Sequence, residues 1–401
     1  MIELKIEGNY IDSFIYSGSF FLLNAEMQLT SFAWKDVINC IEEDQEKKKI
    51  IYNYFSGGDK SLIKELSFEY IISEEKINKI FSISKNNHCI IDFDYWVTDM
   101  DIYKNTLFVS SHEGIDSIAT NRQEVINEEP KFEFIPSQKN TLIKQQVFDI
   151  TLGNYSRLIA ACGSQGALQI NTKGERGGVH ELATDEYQLS SKFWINCDWD
   201  ASAGIAVIKN KLEQEFFKFN NKFEKGIDFL ETENSFEELS KEEKKKVERE
   251  ERQKAIQKKY PEKISIENKG IINSWIEQEK GDRKIILFDG VLEFHQFNLG
   301  EDNSINEKIE DIYKSSFVMQ TEKLTELNKD LVLETQKTDF GIIIETLEEL
   351  FIVPSKKNIS NINKSFSSIT NWRTFPKSKN YRNQLHIVQD DYVSIIGVDF
   401  E

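Results

Sequence analysis

Seven times along the chain, a polar or glycine-bearing turn leads into four to six strongly β-prone residues. A short Gly, Asp, Glu or Asn turn then leads into a second strand of alternating character. The stretches are YSGSFFLLNAEMQLTSFAW from Tyr16, YKNTLFVSSHEGIDSIAT from Tyr103, YSRLIAACGSQGALQI from Tyr155 and ASAGIAVIKNKLEQEFFKF from Ala201. GDRKIILFDGVLEFHQF from Gly281, TDFGIIIETLEELFIV from Thr338 and YRNQLHIVQDDYVSIIGV from Tyr381 complete the set. Each predicts a β-hairpin, near residues 16–34, 103–120, 155–170, 201–219, 281–297, 338–353 and 381–399.

The first apolar residues of these hairpins are Phe20, Leu107, Leu158, Ile205, Ile285, Ile342 and Leu385, with gaps of 87, 51, 47, 80, 57 and 43 residues. Four gaps cluster near 50, a period that suits four-stranded propeller blades, and two are longer by about 30. A second regularity fixes the register. Tyr10, Trp96, Phe148, Trp194, Trp275, Val332 and Trp372 each stand ten to thirteen residues before an anchor. A strand is expected there in every repeat, as DYWVTDMDIY, QVFDITLG and KFWINCDW look, and these are read as the innermost strands.

One small sheet cannot bury both of its faces, whereas sheets packed face to face around an axis bury them all and leave only short edges. The ring must also close. IELKI at one end of the chain and DYVSIIGVDF at the other are both available to pair. The expected fold is therefore all-β: one domain over residues 1–401, a seven-bladed β-propeller with a charged helical insertion between blades 4 and 5. It resembles the WD40-like propellers in architecture alone. The GH…WD signature is absent, and hairpins end instead in FAW, IAT, INT, HQF and IVP. No family residue carries over.

The two long gaps hold the excursions. In the first, KIIYNYF reads as an outer strand, and KSLIKELSFEYIISEEKINKIF carries apolar residues at near-helical spacing, with Gly57 and Gly58 marking the turn into it. The second contains SFEELSKEEKKKVEREERQKAIQKKYPEK, residues 235–263. Ser240 and Glu243 form a capping box, and Pro261 stops the helix. Charges of both signs at i,i+4 support a single exposed helix. Its candidate partner-docking residues are Leu239, Val247, Arg249, Arg252 and Ile256.

Hydrophobic residues make up 39% and aromatics 12%, enough for a large β core, while the net charge of −18 disfavours binding to phosphate backbones. The run at 235–263 does not reverse this, because Glu242, Glu243, Glu248, Glu250 and Glu251 offset much of its positive charge. Cys40, Cys89, Cys162 and Cys197 form no CxxC pair and lie in or beside apolar runs, which reads as buried thiols in a reducing compartment. No stretch of 18 apolar residues exists, and MIELKIEGNYIDSF lacks the apolar core of a signal peptide. A cytoplasmic protein with no membrane contact is expected.

Motifs for chemistry are sparse. KGERGGVHE follows a strand but precedes no helix, so Gly174, Gly177 and Gly178 read as a flexible loop between blades three and four. No two of the five histidines lie within five residues, so no local zinc motif exists. Ser164 in CGSQG occupies a hairpin turn, and Cys162 beside it reads as buried. Acids at the inner-strand phase are Asp92, Asp94, Asp149, Asp198, Asp200 and Glu277, with Asp94, Asp149 and Asp198 the candidate channel-mouth residues. These observations favour a non-catalytic protein–protein interaction scaffold, a subunit of a larger intracellular complex with protein partners, no nucleic acid, no cofactor and no metal. Two other readings compete. A hydrolase or lyase would use acids around the channel. A sensor would bind a small ligand at the channel mouth, in a pocket lined by Trp96, Trp194, Trp275 and Trp372.

Overall fold

The computed structural model describes the chain except residues 1, 58–68, 84–88, 104–105, 124–130, 154–155, 175–179, 201–203, 220–239, 241–244, 246–254, 257–259, 267–272, 280–281, 289–293, 300–304, 310–331, 355–364, 377 and 399–401. After β1 (Ile2–Glu7), the first four-stranded sheet begins with β2 (Tyr10–Tyr16), β3 (Ser19–Asn24) and β4 (Gln28–Ala33). Helices α1 (Trp34–Asn39) and α2 (Gln45–Phe55), strand β5 (Glu69–Ile72) and helix α3 (Glu74–Ile83) intervene before its outer strand β6 (Cys89–Asp92). The second sheet contains β7 (Val97–Tyr103), β8 (Thr106–Ser111), β9 (Ile115–Gln123) and β10 (Lys131–Ile143). The third contains β11 (Asp149–Gly153), β12 (Arg157–Ala161), β13 (Ala167–Gly174) and β14 (His180–Ser190). The fourth contains β15 (Asn196–Asp200), β16 (Ile205–Lys209), β17 (Gln214–Lys218) and β18 (Glu262–Ile264). The fifth is β19 (Asn273–Glu279), β20 (Asp282–Phe288), β21 (Phe294–Leu299) and β22 (Ile305–Ile309); the sixth is β23 (Val332–Thr338), β24 (Gly341–Thr346), β25 (Leu350–Pro354) and β26 (Ser365–Phe366).

These six sheets are the four-stranded blades of a β-propeller. The expectation of seven like blades is corrected here. The hairpin from Tyr381 lies in a five-stranded sheet built by both ends of the chain. β27 (Ile369–Thr374), β28 (Gln384–Gln389) and β29 (Tyr392–Gly397) continue into β1, which pairs antiparallel with β29 from Ile2–Gly397 to Glu7–Tyr392. β5 then adds in parallel to β1. The two terminal strands therefore pair as their sequences suggested.

The apolar core lies between sheets. Phe14, Phe21 and Leu23 of the first sheet pack with Met100, Leu107 and Val109 of the second. Phe108 and Ile115 pack with Ile150, Leu158 and Ile170 of the third. Ile159 and Ala161 meet Trp194, Trp199 and Ile208 at the next junction. Two turn glycines are required by the same geometry. At Gly114 and Gly166 the backbone has positive φ (+149° and +93°), and a Cβ would stand 2.0 Å from the Ile143 carbonyl oxygen or 2.1 Å from that of Ser190. The SHEG and CGSQG turns are thus each pressed against the end of its own outer strand.

Four local expectations are revised. KIIYNYF is not a strand but the body of α2, although its β-branched and aromatic residues favour extended chain. Ile51, Tyr54 and Phe55 fall on one helical face and are buried there, and Asp44 caps the helix by accepting from the Lys47 amide at 2.9 Å. The Tyr54 hydroxyl donates to the Gly397 carbonyl at 2.9 Å, and Gln384 Nε2 donates to the Phe55 carbonyl at 2.6 Å, so α2 is fastened to the sheet that joins the termini. The segment from 60 onward proves to include β5 and α3, with Gly58 outside the described residues.

The charged insertion does not separate the fourth and fifth blades. β17 pairs with β18 through Phe216–Ile264 to Lys218–Glu262, so the segment joins the third and outer strands of one sheet. Of its candidate docking residues, Leu239, Val247, Arg249 and Arg252 lie outside the described residues, and Ile256 is buried rather than presented to a partner. Likewise Gly174 pairs with His180, so KGERGGVHE links β13 to β14 within the third blade, with Gly177 and Gly178 outside the described residues.

Candidate functional site

The innermost strands carry a recurring local feature. The register slips by one residue between Tyr10 and Asp12, Val97 and Asp99, Val332 and Glu334, and Ile369 and Asn371. Each slip is a bulge that ends on an acid or its amide. Equivalent positions of the innermost strands come together near the propeller axis, so the bulges collect carboxyl groups there.

Arg373 on β27 fills the centre of this set. Its Nε and Nη2 donate to the two oxygens of Asp12 on β2, both at 2.7 Å, a bidentate contact. Nη2 also reaches Asp99 Oδ1 on β7 at 2.7 Å, and Nη1 donates to the Met100 carbonyl at 3.2 Å. Asn371 Nδ2 donates to Asp12 Oδ1 at 3.1 Å. Asp99 Oδ2 accepts from the Ile150 amide at 3.3 Å. Asp149 on β11 lies within reach of the charge of Asp99 and accepts from the Cys197 amide on β15 at 2.7 Å. The network therefore crosses five innermost strands. Arg373 keeps 24% of its side-chain surface exposed, whereas Asp12 keeps 7% and Asp99 15%.

The electrostatics follow from that enclosure. Burial first, then the charge of Asp99 and the hydrogen bond to it, hold the Asp149 carboxyl well above the usual carboxylate range. The charge of Asp99 beside it thus disfavours a second negative charge on Asp149. The Arg373 guanidinium is pushed further up by Asp12 and Asp99, which outweigh the opposing effect of burial, so it stays charged. The Cys197 thiol is held up by burial and by Asp149, Asp99 and Asp198, and burial raises Cys162 to about 11. Neither thiol is a ready nucleophile.

A Ser–His pair lies nearby. Ser13 Oγ is 2.9 Å from His386 Nδ1, and His386 Nε2 is 2.9 Å from Gln384 Oε1. Gln384 spends its amide on Phe55, so its oxygen accepts, Nε2 of His386 carries the hydrogen, and Nδ1 accepts from Ser13. Burial, with the charge of Arg373, lowers His386 to about 3. Ser13 is 1% exposed and His386 0%, so the pair is closed to substrate.

The structure does not gather the three acids read from the sequence. Asp149 belongs to the network. Asp94 is exposed on the connection before β7, and Asp198 accepts the amide of its own neighbour Trp199 at 2.7 Å. Asp92 lies on the outer strand β6, where it accepts from Gln28, Asp200 ends β15, and the Glu277 side chain is outside the described residues. Asp12, Asp99 and Arg373 were missed, although the bulge tripeptides YID, VTD, VLE and ITN repeat in the sequence. Among the described residues, no three His, Cys, Asp or Glu groups are arranged to hold a metal ion. The tryptophans do not line one pocket. Trp194 is fully buried between blades, Trp372 donates to Glu345 at 2.8 Å, Trp96 is 59% exposed, and the Trp275 side chain is outside the described residues.

One face around the axis has a distinct surface. Neighbouring strands are antiparallel, so each innermost strand begins on the face where the turn between second and third strands also lies. Of the eight exposed large apolar residues among the described ones, five belong to that face: Trp96 and Phe193 in connections leading to innermost strands, Leu333 at the start of β23, and Leu212 and Leu347 in second-to-third turns.

No family model matches the chain, and no curated protein matches it. Among solved structures, it is similar to the extracellular domain assigned to a hybrid two-component system of B. thetaiotaomicron, at 9% identity and a TM-score of 0.40, covering 98% of this chain and 41% of that one. A second structure, of an extracellular domain assigned to a one-component system of the same organism, gives 10% identity, a TM-score of 0.40, and coverage of 97% and 40%. The chain thus spans less than half the length of either. No described helix is long and apolar enough to cross a membrane.

Proposed function

We propose that this chain is a non-catalytic protein-interaction scaffold, a subunit of a larger cytoplasmic assembly, in which the five-stranded sheet serves as a seventh blade and closes the ring. The observation that carries the reading is the gathering of Trp96, Phe193, Leu212, Leu333 and Leu347 on one face. Exposed apolar groups set among polar ones suit association with protein. The acidic balance of the chain, −18, favours protein over nucleic acid as partner. The axial groups support the same reading, because Arg373 is satisfied by Asp12 and Asp99.

The test is the native mass of the protein in extract of its source cell, by size-exclusion chromatography with mass spectrometry of the peak. Elution well above 46.7 kDa with a stoichiometric second protein is expected. Elution as a lone monomer would refute the scaffold reading.

A second reading has one specific support. Asp149 stands beside Asp99 with its carboxyl held well above the usual carboxylate range, as one acid of a hydrolase pair is. Turnover of a polymer substrate abolished by Asp99→Asn would favour this reading over the scaffold.

A further inference from the structure

Trp96, Phe148, Phe193 and Leu212 follow one another on the apolar face over the second, third and fourth blades. The Phe148 and Phe193 rings stand 6.4 Å apart. Asn210 joins Phe193 to Leu212: its Nδ2 donates to the Phe193 carbonyl at 2.7 Å, and its Oδ1 accepts from the Leu212 amide at 2.7 Å. At the other end, Thr98 Oγ1 donates to the Val147 carbonyl at 2.8 Å, tying the start of β7, just after Trp96, to the residue before Phe148. The Val147 amide donates to the Ser111 carbonyl at 2.9 Å, and Gly163 and Trp194 exchange backbone bonds at 2.8 and 3.2 Å. These bonds fix the backbone next to each of the four residues. Trp96, Phe193 and Leu212 keep 59, 52 and 91% of their surface exposed.

The charges around the arc point to the occupant. Asp94 flanks Trp96, and Glu113 lies in the β8–β9 turn of the same blade; both charges help to raise the Tyr95 phenol above its ordinary range, after burial and Asp116. Two of the nearby lysines are already engaged. Lys192 contacts Glu213 and Glu215, and Lys139 pairs with Asp116 at 2.9 Å. Lys144 and Lys211 also stand here, but Glu348, Glu349, Asp390 and Asp391 occupy the corresponding turns farther round the face. Acids outnumber lysines over the described turns of this face.

Resting on the scaffold reading, we propose that the arc Trp96–Phe148–Phe193–Leu212 is the docking surface for a basic segment of a protein partner, anchored by large apolar side chains. Leu or aromatic residues of the segment lie between the exposed rings, and its Lys or Arg residues face Asp94 and Glu113. A rigid rim asks little ordering of the scaffold, so only the segment loses freedom on binding.

The test uses the full chain and random twelve-residue peptides displayed on phage. The expected outcome is enrichment of peptides with several Lys or Arg and at least one Leu, Phe or Trp. A labelled peptide of that kind binds, and raising NaCl from ~50 to ~500 mM weakens it several-fold. The double variant Phe193→Ser/Leu212→Ser, checked for unchanged melting, loses about tenfold or more. Ile71→Ser, at a distant exposed position, loses nothing. Enrichment of peptides without basic residues, no enrichment, or equal binding by the double variant would overturn the proposal. The two readings fail separately. A stoichiometric native partner that the double variant retains removes the arc and leaves the scaffold, whereas a native protein without partners removes both.

Discussion

Arg373 grips Asp12 through two hydrogen bonds of 2.7 Å, although the two residues stand 361 positions apart. One belongs to the first strand of the opening blade and the other to the first strand of the closing sheet. Breaking a largely enclosed pair by removing one partner leaves a charge without its counter-charge. Arg373→Met therefore destabilises by about 3–5 kcal/mol, because Asp12 and Asp99 lose their shared cation. Urea denaturation measures it. In a double-mutant cycle with Asp12→Asn, a coupling below ~0.5 kcal/mol would show that the clamp adds nothing.

The raised carboxyl of Asp149 predicts a pH dependence of definite sign. The folded carboxyl of Asp149 lies above its unfolded value, so its contribution is fully present below about pH 3.8 and is lost as pH rises through the folded value. Asp149→Asn keeps a hydrogen-bonding group but cannot ionise. The variant should gain stability relative to the native chain as pH rises from 4 to 8. Parallel melting curves for the two proteins across that range would contradict the assignment.

His386 acts in the opposite direction. Its folded value, about 3, lies below the unfolded value near 6.5, so its contribution is present above about pH 6.5 and is lost as pH falls toward 3. The imidazole should remain neutral, with its proton on Nε2, at pH 5. Nitrogen-15 shifts of the ring measure this directly. Titration of His386 near pH 6 would show that the pocket is open to water.

Trp194 and Trp96 fall at the same phase of the repeat, yet one is fully buried and the other 59% exposed. Trp194→Ala should cost about 3–5 kcal/mol by opening a cavity between the third and fourth blades. Trp96→Ala should change stability by less than ~0.5 kcal/mol. Equal losses at both sites would mean that Trp96 also packs in the core.

The contrast shows what the sequence could convey. A hairpin is local, so Phe20–Leu23, Leu158–Ala161 and Ile342–Ile344 declare their strands by composition and by the turns beside them. The outer strand β14 is polar with weak alternation, and β10 alternates only over KFEFI before Pro136 interrupts the pattern, so neither is marked by a hairpin of its own. In α2, packing against the closing sheet overrides the β preference of Ile50, Ile51 and Tyr52. The aromatic phase marked where innermost strands begin without separating buried from exposed, because Trp96 and Trp194 differ only in what the neighbouring blade places over them. Asp149 was legible as an inner acid. Asp99 meets it only through the packing of consecutive blades, and Arg373 joins Asp12 and Asp99 only through ring closure, neither of which a linear pattern expresses.

The central claim, that one face of this propeller holds a protein partner, is tested most directly by quantitative affinity capture from the source cell. The native chain and the Phe193→Ser/Leu212→Ser variant are compared side by side. The account predicts a protein captured in stoichiometric amount by the native chain and reduced at least about tenfold by the variant. Equal recovery of that protein by both chains, or capture of none by either, would contradict it.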